Sequence, residues 1–178
     1  MKKTIYFLGC LALFSCQEEG STTTKSYYDL AGVIHQQIKE LSKNKPIISK
    51  LVSLNNEKET LKTNAIDWEK ELSLFLEADL NKKAYQQSYV VSKTDSSETY
   101  QLKATEDLPV KFLKLVFDEK KHLKNLEAHL KTKNYLYESE KNLNLSLVKN
   151  KLRHYEIKAT QSLFIGQKKE FNIKGIVE

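Results

Sequence analysis

From residue 110 onward the chain alternates. Leu113, Leu115 and Phe117 fall on one face of an extended segment, and Leu126, Ala128 and Leu130 on another. Leu143, Leu145 and Leu147 repeat the pattern, as do Tyr155, Ile157 and Ala159, and finally Phe171, Ile173, Gly175 and Val177. Side chains of a strand point alternately to its two faces, so each run makes one apolar and one polar face. The intervening segments Asp118-Glu119-Lys120-Lys121, Lys149-Asn150-Lys151 and Gly166-Gln167 are short and polar. Turns this short join antiparallel neighbours, because a parallel return needs a crossover of a dozen or more residues. The expectation is an antiparallel meander buried on one face only.

Something must cover that face. From Tyr28 to about Ser42, Leu30, Val33, Ile34, Ile38 and Leu41 recur at helical steps. Asp29 is placed to cap this helix, and Asn44 and Pro46 mark its end. A second stripe, Trp68, Leu72, Phe75, Leu76 and Leu80, predicts a helix from Trp68 to about Leu80. Asn64 or Asp67 can cap it, while Glu69 and Glu71 suit the positive end of its dipole. Ile47–Leu54 and Lys58–Thr63 flank Asn55-Asn56 as a hairpin, and Ser88–Lys93 and Thr99–Ala104 flank Asp95-Ser96-Ser97. The fold class expected is α+β: a large curved antiparallel sheet, a meander forming an incomplete barrel, with two α-helices on its concave face. No internal repeat or linker divides residues 27–178, so they read as one domain.

That order of elements resembles the incomplete barrel of the periplasmic lipoprotein carriers of the Lol system. The likeness is one of fold, with no motif behind it, and carries little about function. The stretch "IDWEKELSLFLEADLNKKA" is similar to uncharacterised Gram-negative lipoproteins, a resemblance that implies no activity.

The chain's start carries more specific information. Met1-Lys2-Lys3 is followed by an apolar run, Ile5 to Phe14, far short of the roughly 20 residues that cross a bilayer. A positive segment, a short apolar one and a small residue before a cut describe a secretory signal. Leu13-Phe14-Ser15-Cys16 resembles the lipobox of bacterial lipoproteins, although Phe14 is bulkier than the usual occupant. The resemblance implies loss of residues 1–15 and acylation of Cys16; the plainer reading is an ordinary signal and a free thiol. Several acyl chains on one residue make a stable anchor, since stable attachment takes at least two. The expected partner is therefore a membrane, and the expected location the outer membrane, on its periplasmic face or at the cell surface. Gln17, Glu18 and Glu19 resemble an acidic export signal, or are solvated tether. Residues 16–26 read as a flexible spacer.

Cleavage before Cys16 removes Lys2 and Lys3, taking the net charge from +6 to +4. The charge is uneven: residues 26–109 hold 11 Lys against 13 acids, and residues 110–178 hold 14 Lys and Arg153 against 8. Arg153 is the single arginine of the chain. Phosphate and base recognition favour the bidentate guanidinium, so the composition speaks against nucleic acid. The lysines read mainly as solvated strand faces, or as a surface facing a polyanion. With Cys10 in the signal, Cys16 has no partner for an intrachain disulfide.

Catalytic constellations are missing. There is no phosphate-binding glycine loop, no Gly-x-Ser-x-Gly and no His-Glu-x-x-His. Among His35, His122, His129 and His154, the pair His122 and His129 lies seven apart, on opposite faces of one strand. Glu69 and Glu71 occupy different helix faces, and Glu138 and Glu140 share a strand face without further partners. Neither a cofactor nor a metal is expected. The candidate binding patch is aromatic: Tyr135 and Tyr137 in "NYLYESE", with Trp68. Tyrosine and tryptophan join apolar area to a polar tip, but cross-strand packing explains the tyrosines as readily, and a core anchor explains Trp68. The function expected is a non-enzymatic, lipid-anchored cell-envelope module binding a protein, glycan or lipid ligand. The alternative is a carrier of a lipid or acyl chain between sheet and helices; a hydrolase using dispersed acids is a third reading.

Overall fold

The computed structural model describes residues 26–55 and 57–178. Helix α1 runs Leu30–Asn44. Its first turn is capped by Asp29, whose carboxylate accepts the Gly32 N–H at 3.0 Å and so satisfies an otherwise orphaned donor. It ends at Lys45, which is left-handed at φ 45° and returns its N–H to Leu41 O at 2.9 Å. Pro46 follows and cannot continue a helix. Leu30, Ile34, Gln37, Ile38 and Leu41 form the buried stripe.

Helix α2 runs Trp68–Leu76, four residues short of the expected Leu80. Asp67, not Asn64, provides its cap, accepting from Lys70 N at 3.2 Å. The N–H groups of Glu77, Ala78 and Asp79 reach back three residues, each at 3.2 Å, the tighter 3₁₀ pattern common at helix ends. That winding still delivers Ala78 and Leu80 to the core. It also brings Asn81 against the start of the domain, where its amide bonds Tyr27 N and Tyr28 O.

Among the described residues there are nine strands, two between the helices and seven after them: β1 (Ile48–Leu54), β2 (Glu57–Thr63), β3 (Tyr89–Lys93), β4 (Ser97–Leu102), β5 (Val110–Phe117), β6 (Leu123–Lys133), β7 (Tyr137–Val148), β8 (Lys151–Leu163) and β9 (Lys169–Val177). They form one antiparallel sheet in the order β2-β1-β9-β8-β7-β6-β5-β4-β3, curved and not closed. The meander is as the alternation predicts. The one long-range pairing is β1 with β9, Ile48 opposite Val177. Strand β4 begins two residues earlier than expected, because Ser97 and Glu98 pair with Val116 and Leu115 of β5. Edge strand β2 carries Glu57, Lys58, Glu59 and Lys62, charges that discourage pairing with another chain.

The alternation is interrupted in a useful way. Register shifts next to Val116 and Ser146 leave Lys124 and Arg153 unopposed. Leu123 and Leu126, and likewise Leu152 and Tyr155, are three apart yet all buried. A bulge inserts one residue and turns the strand's far end over, which keeps apolar side chains facing inward. Buried Gln37 then serves the backbone beside the second bulge, accepting from Leu152 N at 2.8 Å and donating to Asn150 O at 3.1 Å.

Candidate functional site

Both helices lie on the sheet face that bears Leu143, Leu145 and Leu147, here called the inner face. The contact is partly polar. Glu71 of α2 takes Lys50 Nζ of β1 at 2.6 Å and also accepts the Tyr155 hydroxyl of β8. Burial, then the Glu71 carboxylate, pushes the Tyr155 hydroxyl pKa far above the ordinary value. Phe75 meets the Tyr155 ring edge-on, with centroids 6.4 Å apart. Behind that ring stands Gly175 of β9, where a Cβ would collide with it. Here the glycine is required by close approach.

Helix cover ends at a second ion pair, Glu77 with Lys141 at 2.6 Å. Beyond it the inner face is open. The inward positions of β7 change from Leu147, Leu145 and Leu143 to Lys141, Ser139 and Tyr137. Ser139 is flanked in register by Thr132 on β6 and Gln161 on β8. With Tyr85 and Lys82 from the segment after α2, these residues line a solvent-open cleft of about 430 Å³. Lys82 Nζ sits 5.1 Å from the Tyr85 ring centroid and donates to Glu77 O at 3.2 Å. Burial, then the Glu77 charge, raises the Tyr85 hydroxyl pKa. The lining offers hydroxyls, a primary amide, two tyrosine rings and a Lys–Glu pair. Such a surface forms hydrogen bonds and stacks against a ligand.

Of the expected patch, Tyr137 lines this cleft. Tyr135 lies outside the strand, in the β6–β7 turn, and is 84% exposed. Asn134 shapes that turn, its side-chain oxygen accepting from Leu136 N and Tyr137 N. Trp68 is 1% exposed, inside the core beneath α2, and is not brought together with the tyrosines at a surface. Cys16, Gln17, Glu18 and Glu19 lie outside the described residues. Lys141, Ser139, Gln161 and Tyr85 were not singled out from sequence. The leucine-to-polar change along the inward positions of β7 is the signal that marks Lys141 and Ser139; Gln161 on β8 and Tyr85 after α2 carry no such signal.

A wider groove of about 1110 Å³ lies at the opposite end of the sheet, among the turns after β3, β5 and β7. Lysines 120, 121, 124 and 149 line it. Its one acid-histidine contact has a local role: Asp118 accepts backbone N–H groups of Lys120 and His122 at 2.9 Å and holds the turn. His129 sits on the outer face against Asn142 at 3.0 Å. Among the described residues no three His, Cys, Asp or Glu side chains gather in a metal-binding group, and no helix is long and apolar enough to cross a membrane. The chain matches no protein-family model, no curated protein and no solved structure.

Proposed function

We propose that the chain is a non-enzymatic binding module of the cell envelope, lipid-anchored through Cys16, that seats a polar ligand in the inner-face cleft. The observation that carries this is the change from leucine to Lys141, Ser139 and Tyr137 where helix cover stops. A meander strand needs apolar residues only where it is covered. A tyrosine, hydroxyls and an amide converging on a concave surface are the groups that orient a ligand. A glycan or an extended polypeptide matches this lining.

The carrier alternative needs room between sheet and helices. That space holds Trp68, Phe75, Leu143, Leu145 and Ile157, each at 2% exposure or less, which favours a ligand at the open end. For a hydrolase, Glu77 is the carboxylate at hand, and it is committed to Lys141.

The test is binding by the isotope-labelled full chain to glycan, protein and lipid fractions of an envelope extract. Amide shifts confined to residues 137–141 and 161, abolished by Tyr137→Ala, are expected with a glycan or protein fraction. Shifts centred on Leu143 and Ile157 with a lipid fraction would replace this reading by the carrier. Separately, Cys16→Ala is expected to leave an uncut chain without labelled fatty acid; persistent labelling would remove the anchor.

A further inference from the structure

The turns joining β6 to β7 and β8 to β9 stand at the same end of the sheet, and the Phe164 N–H bonds Leu136 O at 2.9 Å across them. Together they expose large apolar side chains: Phe164 at 84%, Ile165 at 85%, Tyr135 at 84%, with Leu136 and Leu163 at least half exposed. Scattered exposed apolar residues are ordinary on a protein surface, but several on adjoining turn tips form a feature that needs an explanation. We propose that this double-turn tip inserts into the interfacial region of a phospholipid bilayer with anionic headgroups.

Three observations favour a lipid surface. First, the exposed apolar groups lie on two turns joined to each other at one end of the sheet. Second, lysines ring its base. Lys131 and Lys133 end β6, and Lys168 and Lys169 lead into β9; Glu138 pairs with the first two, Glu170 with Lys168, and Glu140 lies opposite Lys131, leaving a local charge of 4 − 3 = +1. Lysines that extend past an apolar surface to reach headgroups, with aromatic residues at the boundary, are the composition of an interfacial element. Third, four of the tip's backbone donors are already paired. Leu136 N and Tyr137 N are held by Asn134 Oδ1 at 2.8 and 2.9 Å, Asn134 N by Tyr137 O at 3.0 Å, and Phe164 N by Leu136 O. A turn entering an apolar phase with bare N–H groups would be heavily penalised, and these donors are not bare.

The position also fits the anchor, and this clause rests on the anchor reading above. Tyr27 enters the domain beside Tyr85, its hydroxyl donating to Tyr85 O at 3.1 Å, and Tyr85 shares the cleft with Tyr137. The segment between Cys16 and Tyr27 reaches about 35 Å when extended. One bilayer is therefore within reach of both anchor and tip, with the cleft mouth held close to the membrane.

The experiment uses the full chain with Phe164→Trp, added to phosphatidylcholine vesicles with and without phosphatidylglycerol and with brominated acyl chains. The introduced indole is expected to shift its emission to shorter wavelength and to be quenched by bromine, more strongly on anionic vesicles. The wild-type chain, whose Trp68 is buried, is expected to show neither change. Adding Ile165→Ser should weaken the quenching, and Tyr137→Ala should not. A chain that co-sediments with vesicles while the indole remains unquenched overturns the tip proposal and leaves the anchor standing. Failure to bind vesicles overturns it too, and so does an indole shielded without lipid in a chain that sediments as a dimer, which identifies a self-contact.

Discussion

The two ends of the sheet's inner face are made by the same strands and have opposite fates. In β7, Leu143, Leu145 and Leu147 lie under the helices and are buried, while Lys141, Ser139 and Tyr137 continue the same face into an open cleft. In β8 and β9, Tyr155, Ile157 and Val177 are buried, but Leu163 and Phe171 on the same inward rows are exposed. Strand geometry is shared, so it is the reach of α1 and α2 that separates a core from a surface. Apolar area removed from water stabilises the covered end at about 25 cal/mol per Å². At the bare end the same residue types contribute little to folding and are free to serve contact.

The sharpest way to break this comparison is to truncate one phenylalanine at each end. Phe75→Ala, beneath α2, is expected to cost about 3–5 kcal/mol, while Phe164→Ala at the tip stays within about 0.5 kcal/mol. Urea midpoints of the two variants decide it, and equal losses would mean that the tip is part of the core.

Next in size are the two ion pairs. Glu71→Ala leaves the Lys50 ammonium and the Tyr155 hydroxyl without their shared partner, at about 3 kcal/mol, the low end for a buried pair because Lys50 keeps some solvent. Lys141→Met at the cleft, where Glu77 is much more exposed, should cost about 1 kcal/mol or less. Chemical denaturation at low and high salt measures both, and only the cleft pair should respond to salt.

Gly175→Ala sharpens the comparison further, because its Cβ would press on the Tyr155 ring. A cost of about 1–3 kcal/mol is expected. Tyr155→Phe should relieve only a small part of it, since two ring carbons lie still nearer the added Cβ than the hydroxyl does; thermal melts of single and double variants test this.

The last effect is absent at neutral pH. Burial raises the hydroxyl pKa values of Tyr89, Tyr100 and Tyr155 above 10.0, with Glu98 and Glu71 adding to the last two. An unfolded tyrosine ionises near 10.0 and these do not, so their stabilising contribution is whole below that pH. It falls as the pH rises above it. Urea midpoints should therefore drop on passing pH 10.0, less steeply in Tyr155→Phe; an unchanged slope would count against the buried cluster.

Much of this was legible beforehand. Helix stripes at 30–41 and 68–75 and the strand faces follow from local periodicity, which the backbone imposes over a few residues. Asp29 stood out as a cap, while the choice of Asp67 over Asn64 needed the structure. The shortened α2 was not legible. Leu80 continues the stripe, and only the bonding of residues 77–79 and Asn81 shows why the helix winds down. Nor were the bulges at Lys124 and Arg153, since an apolar residue one position out of step reads simply as noise. Of the aromatic patch, Tyr137 reached the cleft and Trp68 did not, because burial depends on what packs above a residue and not on its type.

By itself the sequence determined that this chain builds a one-faced antiparallel meander with two amphipathic helices to cover it, because side-chain periodicity is local. Only the tertiary structure decided that β1 pairs with β9, that helix cover stops at Glu77 and Lys141, and that two distant turns join at Leu136 and Phe164. Those outcomes depend on contacts between residues far apart in the chain. Such contacts are chosen by how surfaces pack, and no stretch of residues carries them alone.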